Sequence, residues 1–403
     1  RGSATLGNTV AMAAAPGAAV NGASAAARRA ATADVPLVSD IQITLYESPS
    51  IKIDKARLQT SGSRSGHTID VSASNPRFDA SLRVKGSWAD DAWTGTIDSL
   101  QNKGRFALNL VAPAQLRLVA PDGSGVAGLA RPEKIALTNA TIKIRDGSIR
   151  IDNVEKNGGA WRSKGQATGV PVNYLGQLSD AWRENVRGNL TIGADWGLNL
   201  QAGTKAAAPV LGGSLHVFRE QGDLTITGAD LSQALGLTKL DARVDVNDGT
   251  LRTRLDVDGT RVGQARIDGS AQLRDGRLAD ASPFTLEGSG NMGSLAWLAP
   301  LAGQPGLEID GTLKLAISGA GTLGAPQLNG DINGDKLTVN LPDEGIRLRN
   351  GVLRAHLAGD QLQLQKLGFD GAEGRALADG WIRYAGNEAT MALKLTADKL
   401  ELL

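Results

Sequence analysis

A chain of 403 residues is long enough for two or three ordinary domains, and its 41% hydrophobic content supplies a core. Its 43 basic and 42 acidic residues leave a formal charge of +1, which offers no field to draw nucleic acid or an acidic surface. The absence of cysteine excludes disulfide frameworks, thiolate metal sites and cysteine nucleophiles together.

Fifty-one glycines stand against seven Trp, three Tyr and five Phe. That balance suits many short strands joined by tight turns better than a thick aromatic core. Residues 1–36 are dominated by Ala, Gly and Ser, as in GAAVNGASAAARRAATA, and read as a low-complexity connector or loop. From Val38 a two-residue period takes over. IQITLY sets Ile41, Ile43 and Leu45 on one face, SIKID adds Ile51 and Ile53, and FALNLVAPAQLRL adds Leu108, Leu110, Leu116 and Leu118.

The pattern sharpens in LDARVDVNDGTLRTRLDVDGTRVGQARIDG, where Asp248-Gly249, Asp258-Gly259 and Asp268-Gly269 recur at ten-residue intervals. Asp-Gly is a hairpin signal, so each interval reads as one strand and one turn. Val244, Val246, Leu251, Leu255 and Val257 fall on one alternating set; Arg243, Asp245, Arg252, Arg254 and Asp256 fall on the other. The aliphatic alternation continues through Leu313, Leu315 and Ile317, then Leu337, Val339 and Leu341, then Ile346, Leu348, Leu353, Leu357, Leu362 and Leu364. It ends with Met391, Leu393 and Leu395.

Three segments break this period and are expected to be short helices: YLGQLSDAWREN from Tyr174, ADLSQALG from Ala229, and MGSLAWLAPLAG from Met292, closed by Pro300. They divide the chain into a segment of strands over 37–173 and helix-plus-strand segments over 174–228, 229–289 and 290–403. No window approaches the ~20 apolar residues of a membrane-spanning helix. The start at Arg1 and the end on Leu-Glu-Leu-Leu read as an interior portion of something longer.

Residues for catalysis are missing from the pattern. Gly-x-Gly-x-x-Gly occurs at Gly123, Gly288 and Gly319; only the second lies between a strand and a helix, with Asp310 downstream, and no βαβ pattern surrounds it. His67, His216 and His356 show no metal-ligand spacing. Neither a Gly-x-Ser-x-Gly elbow nor a phosphate-binding P-loop is present. The expectation is a protein that is no enzyme and uses no cofactor or metal.

The fold class expected from the residues is all-β: a mostly antiparallel, elongated sheet, curled so that its aliphatic faces look at each other across a groove, with a few short helices. The residues expected to line that groove are the aliphatic set named above from Val244 to Leu395.

GSWADDAWTGTIDSLQNKGRFALNLVAPAQLRL from Gly86, LSDAWRENVRGNLTIGADWGLNLQA from Leu178 and GTLGAPQLNGDINGDKLTVNLPDEGIRLRNGVLRAHLAGDQLQLQKLGFDG from Gly321 resemble the TamB family of the AsmA-like group. The resemblance extends over about residues 38 to 403. It implies a bridge-like lipid-transfer protein in the Gram-negative periplasm, between inner and outer membranes. Implied partners are phospholipid acyl chains, an outer-membrane assembly protein of the Omp85 family, and the inner membrane through an N-terminal anchor outside this sequence. Two other readings of the residues stand beside it. One is a periplasmic scaffold that recruits outer-membrane strands by β-augmentation; the other is a β-solenoid adhesin.

Overall fold

The computed structural model describes residues 3–7, 34–47, 52–124, 128–129, 131–176, 185–203, 209–228, 231–385 and 388–399. The chain forms two compact units, Arg1–Gln166 and Ala167–Leu403. The segment starts expected at 229 and 290 fall inside the second.

The first unit is one ladder of antiparallel strands: β1 (Ser3–Gly7), β2 (Ser39–Glu47), β3 (Lys52–Ser63), β4 (Gly66–Asn75), β5 (Phe78–Ala89), β6 (Ala92–Asn102), β7 (Leu108–Leu110), β8 (Ala114–Val119), β9 (Lys134–Ile144) and β10 (Gly147–Asn157). Each pairs with the next from β1 to β6; β6 then pairs with β7 and β8, and both pair with β9, which pairs with β10. The strand β11 (Ala160–Pro171) spans the boundary between the units. Direct partners share a face of the sheet. The register therefore gathers Ile41, Leu58, Val71, Leu82 and Leu100 into one aliphatic row. Arg57, Asp70 and Arg83 belong to the opposite face, where Asp40 accepts from Arg57 at 2.6 Å and Asp70 from Arg83 at 2.6 Å.

The second unit opens with α1 (Val172–Gly176), followed by β12 (Val186–Gly188), β13 (Thr191–Gln201), β14 (Val210–Gln221), β15 (Leu224–Thr227) and β16 (Ser232–Ala234). Its long strands continue as β17 (Leu237–Asn247), β18 (Thr250–Gly259), β19 (Gly263–Gln272), β20 (Pro283–Met292), β21 (Glu308–Thr322) and β22 (Ala325–Leu341). They end with β23 (Ile346–Gly359), β24 (Gln361–Asp370), β25 (Arg375–Ala385) and β26 (Glu388–Asp398). The main ladder runs β13, β14, β17 and then in sequence order to β26, antiparallel throughout. A small sheet, β12–β15–β16, is built from the segments that the ladder skips.

The all-β, antiparallel class with few short helices is as expected; several local expectations are corrected. Asp248-Gly249 does form the β17–β18 turn, with φ of 49° and 71°, both left-handed as a type I′ turn requires. Asp258-Gly259 instead closes β18, and Asp268-Gly269 lies in the middle of β19. There Asp268 is held by Arg254 at 2.6 Å across the ladder, and Gly269 sits opposite Leu286, so strand pairing overrides the turn signal.

ADLSQALG contains the strand β16, not a helix. Leu231 and Leu235 are four residues apart, a spacing that keeps two residues on one face of a helix and of a strand alike. Of the first expected helix, Tyr174 to Gly176 belong to α1, and 177–184 lie outside the described residues. The third is a 3-10 helix, Ala296–Ala302, with Pro300 inside it; Gly303, at φ 66°, ends it. Within the expected connector, Ser3–Gly7 pairs with β2, whereas 8–33 lie outside the described residues. Ile51 also lies outside them. Leu45 takes φ 56° and is 63% exposed, away from the row begun by Ile41 and Ile43.

Candidate functional site

The strand register decides whether the aliphatic residues of the second unit form one surface or several. From Leu255 the partners run Ile267, Gly288, Ile317, Gly330, Leu357, Leu362, Ile382 and Met391. From Val257 they run Ala265, Gly290, Leu315, Ile332, Ala355, Leu364, Gly380 and Leu393. Val246 pairs with Leu251 and Val244 with Thr253, which adds all three aliphatic residues to the same face. Leu313 joins through Gly334 and Leu353; Val339 pairs with Leu348 and Leu341 with Ile346. Leu395 joins through Ala378 and Leu367, and Leu337 faces Gly351. The register thus brings every expected groove residue onto a single face.

Burial along this face is graded. Val246 and Leu337 are buried, and most of the others are half-buried. Val257 packs, with Leu240, against a core of Val172, Leu190, Leu235 and Leu237, which the small sheet and Trp297 complete. That residue is ordinary core, and the face beside it is covered. At β26 the opposite holds: Met391, Leu393 and Leu395 are 61%, 51% and 74% exposed.

Glycine forms the part of the face that the aliphatic alternation does not mark. In the rows above, Gly or Ala is interspersed among the large aliphatic residues, and at Gly290 the facing side chain of Leu315 leans into the space. A Cβ added at Gly290 would stand 3.0 Å from Cγ of Leu315. Gly319 is a seat for Leu328 and Leu286, whose side chains stand 2.9 and 3.3 Å from an added Cβ, and Gly288 pairs with Ile317 inside the ladder, so both Gly-x-Gly matches start within strands rather than in a phosphate loop. Glycine at the apolar positions of a two-residue alternation was the available signal. Gly330 serves a further purpose. At φ 154° it bends β22, and a Cβ there would overlap the carbonyl oxygen of Ala316. Such strand-interior glycines, with the register shifts between Gly334 and Leu337 and between Leu364 and Leu367, are the devices that curve a sheet.

The other face carries cross-strand ion pairs. Arg254 meets Asp268 at 2.6 Å and Arg266 meets Asp256 at 2.7 Å; the Arg266 guanidinium holds the Asp256 carboxyl below its usual range. A cleft of about 610 Å³ opens on this face beside Arg243, Arg254, Asp268 and Glu287. His356 Nδ1 donates to Asp331 at 2.8 Å, and His216 lies 3.0 Å from Asp241. Asp310 is also structural. Partial burial pushes its carboxyl up, but bonds from the Gly311 N–H, the Ser294 hydroxyl and the Leu295 N–H outweigh this and hold it low, tying the 3-10 helix to β21.

His67, in the first unit, is buried and fully bonded. Its Nδ1 lies 2.9 Å from the Ser63 carbonyl, and its Nε2 accepts from Trp93 Nε1 at 2.8 Å. Trp93 reaches it across Gly86, where a Cβ would meet the indole at 2.5 Å. Among the described residues no group of three or more His, Asp or Glu could hold a metal ion. No helix among them is long and apolar enough to cross a membrane. No family model, curated protein or solved structure matches the chain.

Proposed function

We propose that the aliphatic face of the second unit binds acyl chains, and that the protein conveys phospholipid between the two membranes of a Gram-negative envelope. The observation that carries this reading is the register, which brings the aliphatic residues from β17 to β26 onto one face, covered beside Val257 and half-buried over most of its length. An acyl chain of ~16 carbons, at ~0.8 kcal/mol per buried methylene, faces on the order of 10 kcal/mol when it crosses water. A continuous apolar surface removes most of that cost at every step. The low aromatic content gives such a surface a uniform aliphatic lining. The resemblance to the TamB family adds the periplasmic setting, an Omp85-family partner and an inner-membrane anchor to the proposal. No step requires a catalytic residue.

The test is to purify the chain from a Gram-negative periplasm, extract it with organic solvent and quantify lipid by mass spectrometry. A Leu315→Asp, Leu341→Asp variant, checked for folding by circular dichroism, serves as comparison, because each carboxylate would stand on the half-buried aliphatic face. Phospholipid retained by the parent and lost from the folded variant is the expected result. An empty parent that crosslinks to nascent barrel strands would replace this reading with the strand-recruiting scaffold.

A further inference from the structure

A cleft of about 1300 Å³ in the second unit lies at the strand ends around the β21–β22 hairpin. It exceeds the ~300–1,000 Å³ of small-molecule pockets. Its apolar wall includes Leu328, Leu357 and Leu362, all members of the aliphatic face, together with Leu323 at the hairpin tip. The charged residues that line it are Asp280 and Asp360; no Lys or Arg does.

Both carboxylates are held by their backbones. The loop bearing Asp280 is folded around the fully buried Ser282, whose N–H donates to Ala279 O at 2.8 Å and whose hydroxyl accepts from Ala279 N at 3.1 Å. That loop accepts from the hairpin tip, Gly324 N to Asp280 O at 2.8 Å and Leu323 N to Ser282 O at 3.1 Å. Asp360 sits in the β23–β24 turn after Gly359, with Arg383 at 3.8 Å, a long and exposed contact.

We propose that this cleft is where the polar end of a bound amphiphile rests, and that it takes headgroups bearing an ammonium, with the acyl chains laid on Leu328, Leu357 and Leu362. The inference rests on the acyl-binding reading above and adds its headgroup class. An aliphatic wall whose charged lining residues are both carboxylates attracts a cation and repels a net-anionic headgroup. Exposed ion pairs are weak and screened by salt, so the discrimination is about two- to fivefold and fades as salt rises.

Isothermal titration calorimetry with dihexanoyl phosphatidylethanolamine and dihexanoyl phosphatidylglycerol, each below its micelle concentration, tests this on the whole chain. The expected result is tighter binding of the ethanolamine lipid by the parent and equal binding of both by Asp280→Asn, Asp360→Asn. Equal affinities in the parent, or a preference for glycerol, overturn the headgroup assignment and leave the acyl-binding face standing. A preference that survives in the folded double variant overturns the placement at this cleft. Failure of the parent to bind either lipid removes both readings. Should the double variant not fold, Asp280→Asn alone must lose part of the preference, and an unchanged ratio overturns the proposal.

Discussion

The Trp88–Trp93 end of the first unit and the β26 end of the second present the same kind of strand surface in opposite states. At the first, Trp93 is 4% exposed and Trp88 7%; Ala120, Leu116, Leu118 and Leu129 close over them, and His67 satisfies the indole N–H. At the second, Met391, Leu393 and Leu395 stand in solvent. Both ends arise from period-two alternation, so periodicity alone does not separate core from available surface. The difference is what each strand is given as a cover. Aromatic volume with a polar partner closes one end; at the other, the aliphatic side chains of β26 carry no cover among the described residues. A substitution at the sealed end should therefore act on stability, and one at the bare end on binding.

The largest expected effect is at the sealed end. Trp93→Ala removes the central ring of the cluster and leaves His67 Nε2 buried without its donor, so it should cost about 3–5 kcal/mol. Trp93→Phe keeps most of the volume and loses only the hydrogen bond, at about 1–3 kcal/mol. Urea denaturation followed by tryptophan fluorescence and circular dichroism would order the three proteins. If Trp93→Ala unfolds at the parent's midpoint, the cluster is a surface decoration, and the contrast between the two ends collapses.

A middle-sized effect is expected at Gly330, between the two extremes of cover. Its φ of 154° and the nearby carbonyl of Ala316 leave no room for a methyl group, so Gly330→Ala should destabilise by about 1–3 kcal/mol. The same substitution at Gly288, which keeps an ordinary strand φ and has no atom nearer than 3.9 Å to an added Cβ, should cost much less. Equal costs in thermal denaturation would mean that φ at Gly330 is incidental and that β22 does not depend on its bend.

Much of this surface was legible in the sequence because face membership follows parity between bulges. Leu313, Leu315 and Ile317 share a face by plain alternation, whereas Leu348 and Leu353, of opposite parity on one strand, share it through a register shift that the alternation does not announce. What sits over a strand is not written in its own alternation. Val257 packs with Leu190 and Leu235 from loops, Leu237 at the start of β17, and the core completed by Leu224 and Ile226 of the small sheet, none of which its own alternation specifies. Asp268-Gly269 carries the same letters as the true turn at Asp248-Gly249, and only the partners, Arg254 for the carboxylate and Leu286 opposite the glycine, keep it in a strand. The Trp93–His67 bond joins β6 to β4 across β5, a contact between residues 26 apart that no local pattern announces.

The smallest stability effect is expected at the bare end, and it tests the contrast most directly. Leu395 is 74% exposed, so Leu395→Ser gives up little buried area and should change stability by no more than about 0.5 kcal/mol, or about 1–2 °C in melting temperature. Lipid recovered by solvent extraction should nevertheless fall, because the substitution puts a hydroxyl where an acyl chain would otherwise meet aliphatic surface. The two readouts separate the roles: a core residue moves the melting curve first, and a contact surface moves the bound lipid first. A drop of several degrees with lipid unchanged would make Leu395 part of a packed core and place the end of the acyl-binding face before β26.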